Sequence, residues 1–128
     1  MKTLLDTCTL LWATLAPSSL SSRAKKIIAG ETNTILVSAA TAWEISTKVR
    51  LGRIPGAEQL EREYIEVIEA AGYTPLSIDV GAALRAGRLI AAHRDPFNRM
   101  IAAQALGLDI PVLSPDVEFD KFGVRRIW

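Results

Sequence analysis

The chain has 128 residues, which suits one domain with a sizeable core, and its 49% hydrophobic and 23% charged residues exclude intrinsic disorder. The net charge is +1, so any nucleic-acid site must come from local clustering of charge rather than from an overall field. A single cysteine, Cys8, and a single histidine, His93, exclude a disulfide framework and disfavour a zinc site, which leaves carboxylates as the abundant reactive groups.

Strands and helices alternate from the N-terminus onward. The predicted elements of the first half are a strand at 3–5, a helix at 7–15, a helix that runs through Ile27 and Ile28 and stops near Gly30, a strand at 34–37 and a helix from 39 to about 50. Ser19, Ser21 and Ser22 are the candidate N-caps for the second helix, and Ser38 is the candidate for the third. Pro55-Gly56 then marks a turn.

The second half continues the alternation. Its predicted elements are an amphipathic helix at 57–71, a strand at 73–78, a helix at 79–90, a helix opened by Asp95-Pro96 and running to Leu106, a strand at 110–113 and an edge strand at 124–128. This order implies right-handed βαβ units. We therefore predict a single α/β domain over residues 1–128, with a mainly parallel sheet flanked by helices on both faces.

The N-terminal stretch resembles a short secretory signal, because Met1-Lys2 precedes an apolar run that ends near Ala16. Asp6 interrupts that run, and the apolar core of a signal tolerates charge poorly. No run of about 18 apolar residues exists, so no membrane span is expected. We predict a reduced, cytoplasmic protein without a membrane partner.

Acidic side chains are predicted to meet at one edge of this sheet, since sites in open α/β sheets form beyond the carboxyl ends of the strands. The candidates follow strands or begin helices: Asp6, Glu44, Asp95, Asn98 and Asp116. Clustered carboxylates repel one another unless a cation compensates. Oxygen ligands of this kind suit Mg²⁺ or Mn²⁺, which activate water and neutralise charge on a phosphoryl group.

Each acid also has a purely structural explanation. Asp6 and Asp95 stand where helix N-caps are expected, and Asp95 precedes a proline in the favoured first helical position. Glu44 is spaced to pair with Lys48 on one helix face. Asp116 lies in a Ser-Pro-Asp turn. The individual acids are thus ambiguous, and their order along alternating strands carries the metal-site prediction.

Other phosphate chemistries lack their motifs. The sequence has no GxxxxGK[ST] loop and no GxGxxG after a strand, so a nucleotide cofactor has no support. It also has no GxSxG nucleophile elbow. A phosphoaspartate enzyme would need a second aspartate where Cys8 stands.

Several segments in the right order resemble the PIN-domain ribonucleases, specifically the VapC-type toxins of bacterial toxin–antitoxin pairs. These segments are LLDTCTLLW, SAATAWEISTKVRLGRI, HRDPFNRMIAAQALGLDIPVLSPD and the terminal FGVRRIW. The resemblance covers nearly the whole chain and implies a PIN-like fold with Mg²⁺- or Mn²⁺-dependent cleavage of RNA. It also implies metal-site roles for Asp6, Glu44 and Asp116, and supporting polar roles for Thr7, Ser114 and Arg99.

The family's usual DPFDR segment reads Asp95-Pro96-Phe97-Asn98-Arg99 in this chain. Aligned on the following helix, the acid expected in the site falls on Asn98, one helical turn after Asp95. Either Asp95 supplies the charge or the site is one carboxylate short. The second possibility keeps open an alternative function, a degenerate PIN-like domain that binds RNA or a protein partner without catalysis.

The mechanism implied is hydrolysis of an RNA phosphodiester by a metal-activated water, with Glu44 as a ligand or as the base that orients this water. Basic side chains in or near the site segments are candidates for phosphate binding: Lys48, Arg50, Arg53, Arg94 and Arg99. The resemblance further implies a cognate antitoxin that blocks the site, and a homodimer.

Overall fold

The computed structural model describes residues 1–91 and 94–128, so His93 lies outside the described residues. Within these ranges five strands form one sheet, in the order β3-β2-β1-β4-β5. The strands are β1 (Lys2–Leu5), β2 (Thr34–Ser38), β3 (Thr74–Leu76), β4 (Val112–Leu113) and β5 (Arg126–Ile127). Every pairing between neighbouring described strands is parallel, which confirms the predicted sheet.

Helices connect these strands. They are α1 (Thr7–Leu15), α2 (Ser22–Ala29), α3 (Ala39–Arg50), α4 (Glu58–Arg62), α5 (Tyr64–Ala70), α6 (Val80–Arg88) and α7 (Pro96–Leu108). Two short 3₁₀ helices, Pro17–Ser19 and Val117–Phe122, complete the described secondary structure and were not predicted. No helix in residues 1–91 and 94–128 has the length and apolar character needed to cross a membrane.

Local capping explains where the helices begin. The Ser21 hydroxyl accepts a hydrogen bond from the Ala24 amide (3.0 Å), and Ser38 accepts one from Ala40 (3.0 Å). Such side chains satisfy amides that have no partner within the first helical turn. Of the three serines predicted as possible N-caps of α2, Ser21 takes that role. The predicted caps of α3 and α7, Ser38 and Asp95, are confirmed.

The core lies on both faces of the sheet, because successive side chains of a strand point to opposite faces. Leu4 belongs to a buried cluster that includes Ile101 of α7, and Leu5 belongs to a second cluster that includes Leu10 of α1 and Ile45 of α3. Strands buried on both faces read as continuous apolar runs, as β2 and β4 do. The predicted coverage of both faces is confirmed.

The single helix predicted at 57–71 is wrong, since two helices, α4 and α5, occupy this segment. The chain leaves helical geometry at Glu63, where φ is −103° and ψ is 21°. Hydrogen bonds from Glu63 N to Gln59 O and from Val67 N to Glu63 O keep the α-helical spacing across the break. The break at Glu63 is a local distortion of the backbone, and hydrophobic periodicity along the sequence does not predict it.

The predicted end of α7 at Leu106 is also wrong, because the helix continues to Leu108 and includes Gly107. Asp109 ends the helix in the left-handed conformation, with φ of 52°. The Arg85 guanidinium of α6 lies against Gly107, so this glycine sits inside a contact between α6 and α7 rather than at the end of α7. The strands at 73–78 and 110–113 were predicted too long; in β4 the ladder shortens at Pro111, which lacks an amide donor.

Candidate active site

The carboxyl ends of β1, β2 and β4 open onto a cavity of about 360 Å³. Parallel strands bring these ends to one edge of the sheet, which is why residues distant in sequence meet there. The residues that line it are Asp6, Thr7, Cys8, Leu11, Trp12, Glu44, Lys48, Ile54, Asp95, Asn98, Pro115 and Asp116. All five candidate metal-site residues are thus brought together, and we call this cavity the acid pocket.

Ser114 joins the first and last acids of the pocket. Its hydroxyl donates to Asp6 Oδ2 (2.6 Å) and accepts from the Asp116 amide (3.0 Å). Asp6 Oδ1 accepts from the Thr9 amide (2.8 Å), so Asp6 is also the N-cap of α1. The N-cap interpretation of Asp6 is therefore confirmed, and its assignment as a metal ligand stays a prediction. The supporting position predicted for Ser114 matches these contacts.

Burial dominates the electrostatics of Asp6. Removal from water raises the pKa of the Asp6 carboxyl, hydrogen bonds from Ser114 and Thr9 lower it, and the charge of Asp116 raises it further. The net direction is upward. A buried carboxylate close to another carboxylate is stabilised by a cation, so the pocket favours binding of one.

Glu44 is held in the pocket by α3, six residues into the helix that follows β2. The side chain is buried, and its Oε2 forms an ion pair with Nζ of Lys48 one turn later. Glu44 Oε1 is buried and has no hydrogen-bond partner among the described residues. A buried carboxylate oxygen without a donor costs free energy, and a bound cation would remove that cost.

Asp95 and Asn98 enter the pocket from the start of α7. Asp95 Oδ1 accepts from the amides of Phe97 (2.9 Å) and Asn98 (3.3 Å), which makes it the helix N-cap. Both side chains also line the cavity. The structural role expected of Asp95 is confirmed, and its assignment as a metal ligand remains a prediction, as does that of Asn98.

Thr7 couples the helices that carry Asp6 and Glu44. Its hydroxyl donates to Oγ1 of Thr41 (3.1 Å), which lies three residues before Glu44 on α3. Both threonines are buried. This contact fixes α1 against α3 at the height of the pocket. Thr41 was missed because nothing in its local sequence distinguishes it from an ordinary helix residue.

The sequence analysis also missed the apolar wall of the pocket, formed by Leu11, Trp12 and Ile54. Leu11 and Trp12 follow Thr7 and Cys8 by four residues on α1, so helical spacing from Asp6-Thr7-Cys8 could have identified them. Trp12 is braced by the ring of Trp128, with centroids 5.7 Å apart.

Arg99 is not brought into the pocket. Its guanidinium donates to backbone carbonyls at the end of α6 and beyond it, including Ala86 O (2.8 Å), Leu89 O (2.7 Å) and Ala91 O (3.1 Å). Polar support of the acids by Arg99 was therefore predicted in the wrong place. The contacts that Arg99 makes lie far apart in sequence, and no local pattern reveals them.

The donor chemistry of the pocket fits a hard divalent cation. Carboxylates of Asp6, Glu44 and Asp116 provide oxygen ligands, and the unpartnered Glu44 Oε1 is available to one. Among the described residues, no three His, Cys, Asp or Glu side chains already stand close enough to hold a single ion. The acids thus line a common cavity without forming a closed cage.

Comparison with known proteins agrees with this arrangement. The family model of the PIN domain matches residues 3–124 of this chain. A segment of 55 residues is 38% identical to ribonuclease VapC16 of Mycobacterium tuberculosis, and this match covers 43% of the chain and 39% of that protein. The matched segment therefore spans well under half the length of that relative.

Solved structures share the fold along their whole length. VapBC2 from Rickettsia felis, solved with a promoter DNA fragment, superposes with a TM-score of 0.71 at 12% identity, covering 99% of this chain and 98% of that chain. VapBC-1 from nontypeable Haemophilus influenzae superposes with a TM-score of 0.67 at 20% identity, covering 99% of this chain and 97% of that chain. FitAcB from Neisseria gonorrhoeae superposes with a TM-score of 0.67 at 20% identity, covering 98% of this chain and 96% of that chain. Because the family model spans nearly the whole chain and these structures share its fold, the chain belongs to the PIN-domain family.

Proposed function

We propose that this protein is a divalent-metal-dependent endoribonuclease and the toxin component of a type II toxin–antitoxin pair. The observation that carries the proposal is the acid pocket, where Asp6, Glu44, Asp95 and Asp116 line one cavity at the carboxyl edge of the sheet. Membership of the PIN-domain family supports the same chemistry, and the partial match to a ribonuclease supports RNA as the substrate.

Asp6, Glu44 and Asp116, with Asp95 or Asn98, would hold one or two Mg²⁺ or Mn²⁺ ions in the pocket. Such an ion lowers the pKa of bound water and neutralises charge on the phosphoryl group. Ser114 keeps Asp6 oriented through its hydroxyl. The unpartnered Oε1 of Glu44 would serve either as a ligand of the ion or as the base that orients the attacking water. Leu11 and Trp12 exclude bulk water from one side.

The single domain is proposed to act in the cytoplasm and to pair with a cognate antitoxin that covers the acid pocket. The VapBC complexes that share the fold support an antitoxin partner. A homodimer is part of the same proposal and rests on the family resemblance.

Cleavage of single-stranded RNA by the purified protein tests the enzyme. We expect activity with Mn²⁺ or Mg²⁺, none in EDTA, and loss of activity in the Glu44→Gln variant, which keeps the shape of the side chain and removes its charge. Lys121→Met, outside the pocket, is the matched control and should cleave normally. Cleavage that survives both EDTA and Glu44→Gln would refute the proposal.

Asn98 favours a second candidate function, a PIN-like domain that binds RNA or a protein without cleaving RNA. An amide oxygen brings a dipole to the pocket where a carboxylate would bring full charge. Asn98→Asp should tighten Mn²⁺ binding by about tenfold to a hundredfold, or ~1.4 to 2.8 kcal/mol. Asp95→Asn is the paired variant, since its side chain enters the same pocket one turn earlier. Metal-dependent cleavage by the wild type would exclude the non-catalytic alternative.

A further inference from the structure

One cation stands among the acids of the pocket. Lys48 is the only Lys or Arg among the described residues that line the cavity, whereas Asp6, Glu44, Asp95 and Asp116 supply four carboxylates. Its ammonium contacts Glu44 Oε2 directly. The charge that compensates the carboxylates is therefore partly provided by the protein itself.

The Glu44–Lys48 pair differs from an ordinary surface pair. The Glu44 side chain is 5% exposed and that of Lys48 is 35% exposed, whereas the Lys121–Glu118 pair has exposures of 60% and 39%. Exposed pairs contribute little to stability because water and salt screen them. Because Glu44 itself is buried, removing Lys48 would leave an uncompensated carboxylate there, which is unfavourable.

The pair also divides the two oxygens of Glu44. Oε2 is occupied by Lys48, while Oε1 is buried without a partner. A divalent cation drawn to Oε1 would approach a carboxylate that is already half neutralised and would experience repulsion from the Lys48 ammonium. Lys48 thus acts in opposite directions on the metal-free and the metal-loaded protein.

We propose that Lys48 is a built-in counter-cation of the acid pocket, which stabilises the metal-free protein and weakens the binding of divalent metal. This inference rests on the proposed metal site and adds a control on its affinity. Lys48 is a positioning residue in this scheme, because it acts through the charge and orientation of Glu44. Metal affinity then reflects an exchange between two cations rather than the filling of a bare acidic site.

Lys48→Met removes the ammonium and keeps most of the stem. We expect the metal-free variant to melt several degrees below the wild type in EDTA, and to bind Mn²⁺ about tenfold more tightly in a calorimetric titration. The Lys48→Met/Glu44→Gln double variant should recover much of the melting temperature, because the buried charge of Glu44 is removed together with its partner. Lys121→Met is the surface control and should change neither quantity.

Lys48→Gln serves as the second variant, because its amide can still donate to Glu44 while carrying no charge. It should also bind Mn²⁺ more tightly than the wild type. If the wild type binds Mn²⁺ and both Lys48 variants bind it equally or more weakly, the counter-cation proposal is overturned and the metal site stands. If neither the wild type nor the variants bind Mn²⁺, the proposed metal site fails and this inference fails with it.

Discussion

Asp6 begins helix α1 and lines the acid pocket with the same carboxylate. Thr9 donates its amide to one oxygen and Ser114 donates its hydroxyl to the other. Burial nevertheless raises the pKa of the carboxyl, and the charge of Asp116 adds to that effect. The metal-free fold therefore disfavours ionisation of Asp6, and shifts of this kind are common at functional sites.

Asp6→Asn should abolish RNA cleavage, by about a hundredfold or more, and leave the metal-free protein as stable as the wild type or more stable. The amide retains an oxygen for Thr9 and loses the buried charge. Cleavage assays and thermal melts in EDTA measure the two effects. An Asp6→Asn variant that unfolds in EDTA would mean that the charge of Asp6 is needed for the fold.

The same shift predicts a pH dependence. Since the folded-state pKa of Asp6 is raised, its contribution to stability is fully present below the unfolded value of about 3.9 and is lost as pH rises through the folded value. Without metal, the wild type should lose unfolding free energy over that interval relative to Asp6→Asn. Urea titrations of both proteins in EDTA at a series of pH values measure the difference.

Cys8 offers a probe of the same charges. Burial, followed by the charges of Asp6, Asp116 and Glu44, raises the pKa of its thiol to about 11. At pH 8 in EDTA, alkylation by iodoacetamide should be roughly a hundredfold slower than for an unperturbed thiol, because the thiolate is the reactive form. The Asp6→Asn substitution should accelerate alkylation of Cys8. A rate equal to that of the urea-unfolded protein would contradict this electrostatic picture.

The pocket residues could be predicted because their positions follow from topology. Asp6, Glu44 and Asp116 each come soon after a parallel strand, so they had to reach one edge of the sheet. The role of Arg99 could not be predicted, since its guanidinium contacts carbonyls at Ala86, Leu89 and Ala91. Those contacts depend on how α6 packs against α7, which local sequence does not specify.

At the scale of elements, Arg99 joins α7 to the end of α6. The last carbonyls of a helix lack partners within it, and a guanidinium supplies several donors to them at once. Gly107 on the same helix leaves room for the guanidinium of Arg85 on α6. Arg99 thereby ties the end of α6 to α7, the helix whose N-cap is Asp95.

Arg99→Met should lower the free energy of unfolding by roughly 2 to 4 kcal/mol, because several carbonyl acceptors lose a charged donor. Arg94→Met is the control, since Arg94 is exposed and its loss should change stability little. Urea unfolding monitored by circular dichroism measures both. Unchanged stability in Arg99→Met together with weaker RNA binding would favour the phosphate-binding role over the structural one.

The residues at which helices begin were predicted from the sequence more accurately than the residues at which they end. A cap such as Ser38 or Asp95 acts within one turn, so its signal is local. The end of α7 lies at Asp109, which adopts the left-handed conformation, and the break at Glu63 is a local change of backbone angles; neither residue type signals this in the sequence. These are the boundaries that hydrophobic periodicity placed wrongly.

At the scale of the whole molecule, the proposed toxin activity requires the pocket acids. Expression in a bacterial host should arrest growth, and an antitoxin supplied in trans should relieve the arrest. Glu44→Gln should grow normally at equal protein levels, because it lacks the charge proposed for metal and water. Colony counts after induction measure the effect. Arrest by Glu44→Gln as strong as that by the wild type would show that catalysis is not its cause.

The sheet order has a consequence for how the protein is made. β1 pairs with β4, and the hydroxyl of Ser114 reaches back across 108 residues to Asp6. During synthesis the N-terminal part emerges first, and contacts this distant in sequence close slowly. A nascent chain that still lacks Ser114 and Asp116 has only part of the acid pocket. The acid pocket is therefore complete only after nearly the whole chain has been synthesised, because its last acid, Asp116, lies close to the C-terminal strand.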